Sequence, residues 1–109
     1  GLRRQLIDLK IAATADTDGN ICIIGKNLTA DDMRYFANNM VSKCQIVGVF
    51  SENEKGFNYI CASNSVNLRD FGKQMNDTLN GKGGGSPNMI QGSVACEKAE
   101  IEKFFSAKY

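Results

Sequence analysis

Residues 81–93, GKGGGSPNMIQGS, hold most of the side chains and backbone groups in this 109-residue chain that are suited to binding chemistry. Lys82 offers a cation. Gly83, Gly84 and Gly85 lack a Cβ, so their amides can turn together in conformations closed to other residues. Clustered N–H groups of this kind suit an anion. Ser86, Asn88 and Gln91 add hydrogen-bonding side chains, and Pro87, the only proline, stiffens the exit. A phosphate of a nucleotide or of a nucleic-acid backbone is the natural guest. Arg69 and Lys73, one helix earlier, are auxiliary cations for the same guest, or simply part of a solvated helix face. The bland alternative for the glycines is a close-packed turn in which backbone presses on backbone. The run is neither a P-loop nor a dinucleotide fingerprint, because no G-x-x-x-x-G-K-[ST] is present and the run follows a helix instead of a first strand.

Catalysis by this chain itself has little to work with. There is no histidine, which removes the commonest general base and the Ser-His and Cys-His nucleophile pairs. Cys22, Cys44, Cys61 and Cys96 are far apart and sit among apolar residues, so they read as reduced, core-facing thiols and not as a metal site. Asp31 and Asp32 read as helix-start residues. No catalytic residue, metal ligand or cofactor is assigned. Lys and Arg number 13 against 12 Asp and Glu, a net charge of +1, so any nucleic-acid site must be local. No apolar run reaches the roughly 18 residues of a membrane span and no signal peptide is visible, which fits a cytoplasmic protein without membrane contact. A chain opening on Gly1 reads as a fragment of a longer protein.

The elements that must position these groups follow from periodicity. Residues 2–15 read as a helical arm whose Leu2, Leu6, Leu9 and Ala13 have the spacing of a coiled-coil seam, and Asp18-Gly19 marks a turn after it. ICIIGK (21–26) reads as a buried strand. Thr29 is a candidate N-cap for a helix with Met33, Phe36, Ala37, Met40, Val41 and Cys44 on its inner face. Strands at 45–50 and 57–63, joined by a polar turn ending at Gly56, form an antiparallel hairpin. Asn67 caps a second helix with Leu68, Phe71, Gly72, Met75 and Leu79 inside, and Gly81 stands where a C′ glycine belongs. A glycine loop over 81–93, a short strand near Val94–Cys96 and a helix over 97–107 complete the order. This is an α/β fold: a mixed β-sheet of about four strands with packed helices and an N-terminal helical arm. The arm spans 1–16 and the domain 17–109.

The sequence NGKGGGSPNMIQGS, placed between a helix and a strand, resembles the DHH-associated domain. That domain ends alanyl-tRNA synthetases and the long form of free-standing alanyl-tRNA editing hydrolases, and it accompanies the DHH phosphoesterases. Gly81, Gly83, Gly84, Gly85, Pro87, Gln91 and Gly92 match the GGxGGGxPxxAQGGG pattern of the tRNA branch; Asn80, Ile90, Ser93 and Val94 depart from it. Ser86 stands where the phosphoesterase branch carries a histidine. The resemblance implies a non-catalytic appendage that binds the outer corner of tRNA and mediates homodimerisation. Any zinc would sit in a separate editing domain of the parent enzyme. It leaves two further readings: the substrate-binding lobe of a DHH phosphoesterase, or a dimerisation domain that meets its copy through Leu2, Leu6 and Leu9.

Overall fold

A computed structural model of the chain describes residues 2–13, 16 and 19–107. Of residues 2–4 and 107 only the backbone is described. Helix α1 spans Leu2–Ala13 and strand β1 Asn20–Lys26. Helix α2 spans Ala30–Met40 and runs into a short 3-10 turn at Val41–Lys43. The hairpin follows as β2 (Ile46–Asn53) and β3 (Gly56–Ala62). Then come α3 (Leu68–Leu79), β4 (Gly81–Gly85), β5 (Met89–Val94) and α4 (Lys98–Ala107). Asp18 of the expected turn, Thr14 and the Leu2 side chain lie outside the described residues.

The helix starts follow from their caps. Thr29 Oγ1 accepts from Asp32 N at 3.0 Å, and Asp32 Oδ2 accepts from Thr29 N at 3.1 Å, a reciprocal box that satisfies two donors at the head of α2. At the head of α3, Asn67 Oδ1 accepts from Arg69 N at 2.9 Å. The end of α3 differs from expectation. Asn80, not Gly81, takes the left-handed turn (φ 55°), a role asparagine fills because its short polar side chain tolerates that region.

The five strands run in the order β1-β2-β3-β5-β4. β1 lies parallel to β2, and every other pair is antiparallel. The mixed sheet with packed helices is as expected, with five strands instead of four. The extra strand is β4, in the segment expected to be a loop. Its partner β5 occupies 89–94, not 94–96.

The sheet separates two cores. On one face α3 and α4 pack Phe71, Met75, Phe104 and Phe105 against Phe50, Tyr59 and Ile90. On the other, α2 packs Met33, Phe36 and Met40 against Val47, Val49 and Ile60, with Ile7 of α1 joining from outside. Gly48 is forced by the first core: a Cβ there would stand 2.4 Å from the Phe105 ring. The α1 seam points the other way. Leu6 and Leu9 are each 66% exposed, while Ile7 and a hydrogen bond from Tyr35 to Asp8 hold the helix to α2.

Candidate nucleic-acid interface

The glycine run is the outer strand of the sheet, not a loop. Its pairing with β5 fixes which backbone groups are free. Ala95 N donates to Asn80 O (3.1 Å) and Ser86 N to Met89 O (2.9 Å). These bonds mark 80/95 and 86/89 as hydrogen-bonded pairs of the ladder in which Lys82 faces Ser93 and Gly84 faces Gln91. Antiparallel pairs alternate, so Lys82 and Gly84 bond inward to β5. Gly81, Gly83 and Gly85 turn both N–H and C=O outward from the sheet. An extended edge therefore offers donors and acceptors in alternation. It is not the concave nest of N–H groups that a lone glycine loop would build.

Register also divides the sequence-derived residues between the two sheet faces. Gly83 stands in the row of Gly92 and Tyr59 and faces α3. A Cβ on Gly83 would stand 2.4 Å from the Gln91 carbonyl and 2.5 Å from the Tyr59 hydroxyl, so backbone and ring close over it. Between α3 and β4 runs a groove of about 630 Å³. Arg69, Lys73, Asn76 and Asp77 line its helical wall, and Gly83 and Gly85 its strand side. Tyr59 Oη donates to Asn76 Oδ1 at 3.0 Å under this groove. Burial pushes the Tyr59 hydroxyl above its ordinary value, against the opposing pull of the Asn76 bond, so it remains a donor at neutral pH. Lys82, Gly84 and Gln91 have the opposite register and project from the other face, where α2 packs mainly on β2 and β3, although Lys82 also lines the groove. A depression of about 640 Å³ there is lined by Lys82, Asn58 and Ser93 among others.

Two of the candidate side chains are engaged within the protein. Ser86 Oγ accepts from Met89 N at 3.2 Å and closes the β4–β5 turn. Asn88 is held by the Ser63 backbone: its carbonyl accepts from Ser63 N at 3.0 Å, and its Nδ2 donates to Ser63 O at 3.4 Å. The Pro87 carbonyl accepts from Leu68 N at 2.9 Å, which fastens the turn to the head of α3. Arg69 and Lys73, read as auxiliary, stand beside the strand edge on exposed helix positions. Tyr59 and Asn76 were not singled out from the sequence. The available signal was helical spacing: Arg69, Lys73 and Asn76 fall at i, i+4 and i+7, on one flank of α3.

The thiols do not converge. Among the described residues no three His, Cys, Asp or Glu side chains group closely enough to hold a metal ion. Burial, with Glu102 adding to it, pushes the Cys22 thiol up to about 12. Cys61, fully buried in the sheet, is raised further in the same direction. No helix among the described residues is long and apolar enough to cross a membrane.

A mixed five-stranded sheet with helices on both faces, ending in a glycine edge strand beside a basic helix flank, defines the class. The DHHA1 domain model matches residues 12–107, and the chain belongs to that family. Among solved structures it resembles the C-Ala domain of Aquifex aeolicus alanyl-tRNA synthetase, with a TM-score of 0.67 over 85% of this chain and 98% of that one. Sequence identity is 15%, so the likeness is one of fold. A search of curated protein sequences finds no significant match.

Proposed function

We propose that this chain is a non-catalytic nucleic-acid-binding module, that its nucleic acid is tRNA, and that it serves a cytoplasmic alanyl-tRNA synthetase-like or alanyl-tRNA editing enzyme. The observation that carries the reading is the groove between α3 and β4. Arg69 and Lys73 stand on one wall, and the outward N–H and C=O groups of Gly83 and Gly85 lie on the other. The cations take phosphates, which set position, while the strand edge meets sugar or base atoms. Lys82 and Gln91 extend the contact around the edge. Family membership and the likeness to a synthetase domain support the choice of tRNA. The module needs no cofactor, and zinc chemistry belongs to a separate domain of the parent enzyme.

A net charge of +1 makes binding weak and salt-sensitive. Fluorescence anisotropy with labelled tRNA at low salt tests it. Arg69→Ala with Lys73→Ala lowers affinity and reduces the slope of log affinity against log salt by about 2, roughly one per lost phosphate contact. Gly84→Asp, which brings an anion to open space beside the edge, also lowers affinity. No binding by the wild type, or equal binding by all three proteins, would sink the reading. A second reading, a module whose business is pairing with its own copy, is favoured by the exposed Leu6 and Leu9 and by the open strand edge.

A further inference from the structure

On the α2 face of the sheet, register sets Lys82, Ser93 and Asn58 in one row across β4, β5 and β3, and Gly84, Gln91 and Ile60 in the next. Between these rows and the head of α2 lies a pocket of about 350 Å³. Leu28, Ala30, Met33 and Ile60 give it an apolar side, and Gln91 and Asn58 a polar one. An apolar wall with a few convergent polar groups is the make-up of a small-ligand site, and the volume lies at the lower end of that class. Asn58 also lines the neighbouring depression of about 640 Å³, so the two are continuous. There Lys82 and Lys55 stand against one carboxylate, Glu54.

Hydrogen bonds set what this surface offers. Lys55 N donates to Asn53 Oδ1 at 2.9 Å, which fixes the Asn53 amide with its nitrogen turned the other way. That nitrogen donates to Asn58 Oδ1 at 3.0 Å. The Asn58 oxygen is thereby engaged, and its Nδ2 is left to serve the pocket as a donor. Gln91 is exposed and offers both halves of its amide. Gly84, its partner on β4, has no side chain to shade it. Gln91 and Asn58 are diagonal neighbours on adjacent strands, about 7 Å apart. Together they present donor, acceptor, donor, or acceptor, donor, donor with the Gln91 amide turned over.

We propose that this pocket holds the base of an unpaired pyrimidine nucleotide, with its phosphate on Lys82. The Watson–Crick edge of uracil is acceptor, donor, acceptor and meets the first arrangement. That of cytosine is donor, acceptor, acceptor and meets the second. Guanine sets its amino group against the Asn58 donor, and adenine sets a C–H there, so a purine leaves that donor unpaired. Leu28 and Met33 take the apolar ring. Lys82 lies two strand spacings from Asn58, about 10 Å, a span from base edge to phosphate. Only an unstacked base can present this edge, so the guest comes from a single-stranded or looped segment. For its ligand the pocket rests on the nucleic-acid reading. It uses no backbone group of the α3–β4 groove and shares only Lys82 with it.

Two measurements test the pocket separately from the groove. In anisotropy at low salt, labelled oligouridine binds about tenfold tighter than oligoadenosine. Arg69→Ala with Lys73→Ala weakens both oligomers alike, lowers the salt slope and keeps the preference. Gln91→Ala removes the preference and keeps the slope. In titrations of the isotope-labelled chain with nucleoside monophosphates, uridine and cytidine monophosphate shift the Gln91 and Asn58 side-chain amide signals more than the purines do. Asn58→Asp exchanges the donor for an acceptor and turns the preference from uridine to guanosine monophosphate, a reversal that a merely structural role would not produce. Both residues are exposed, and unchanged urea midpoints show that the variants fold. Tighter binding of oligouridine than of the monophosphate makes the guest a nucleotide within a chain; equal binding makes it a free nucleotide. No pyrimidine preference in the wild type would overturn the proposal. So would a preference that survives both Gln91→Ala and Asn58→Asp, or amide signals that no nucleotide moves.

Discussion

At one edge of the sheet, β1 carries Ile21, Cys22, Ile23 and Ile24, whose side chains alternate between two helical layers. At the other edge, β4 carries four glycines and one lysine, with a helix over one face only. The first edge is held by side chains: burying an apolar side chain is worth about 1.5–3 kcal/mol, and the strand is fixed by what stands above and below it. The second is held by its ladder with β5, by the Asn80 turn and by the Pro87 clamp on α3. A strand without side chains contributes little to the core and leaves its outer backbone groups approachable. The contrast separates the part of the sheet that stabilises the fold from the part that is free to bind.

Substitutions at the covered edge should therefore cost stability through lost packing, whereas at the glycine edge the outcome should depend on whether the added Cβ meets backbone. The largest effect is expected on the covered side: Ile23→Ala leaves a cavity under α2 and costs about 3 kcal/mol in urea unfolding. At the glycine edge Gly83→Ala costs about 2 kcal/mol, because its Cβ would overlap the Gln91 carbonyl and the Tyr59 hydroxyl. Thr29→Ala breaks the capping box that seats α2 against the covered half, at about 1 kcal/mol. One residue from Gly83, Gly84→Ala should stabilise by about 0.5 kcal/mol, since the site is open and alanine narrows the unfolded ensemble. A large loss at Gly84 would erase the contrast; a gain would sharpen it.

The smallest effect at neutral pH is a titration. The Cys22 thiol on β1 is raised from 9.0 to about 12. The folded state thus holds this proton more tightly than the unfolded chain. Its contribution is fully present below pH 9 and is lost as pH rises from 9 towards 12. Cys61 acts in the same direction. With no histidine in the chain, urea midpoints should stay nearly level from pH 6 to 8 and fall above 9. Replacing Cys22 with Ala should shrink that alkaline fall.

Much of the covered half was legible in the sequence. The stripe Met33, Phe36, Ala37 and Met40 is buried as its spacing requires, while Val41 and Cys44, expected on the same face, lie past the end of α2 and are half-buried. The Thr29 and Asn67 caps are made as expected, and the 2–3 hairpin pairs in the antiparallel sense. At α1 the seam residues Leu6 and Leu9 face outward, while Ile7, between them, docks on α2. β4 was illegible for a physical reason. Strands announce themselves through β-branched residues and alternating polarity, and GKGGG has neither. It becomes a strand because β5 offers it a ladder and Asn80 turns the chain back alongside.

The sequence by itself determined the layers, the caps and the residue types gathered near the glycines, because those follow from local periodicity and side-chain chemistry. Only the tertiary structure decided how they are used. It turned the glycines into a sheet edge, set Gly83 and Gly85 beside Arg69 and Lys73, and sent Lys82 and Gln91 to the other face. It also engaged Ser86 and Asn88 in the turn. The direction in which a backbone amide points depends on the strand that pairs with it, and for a residue with no side chain that pairing is the whole of its local instruction.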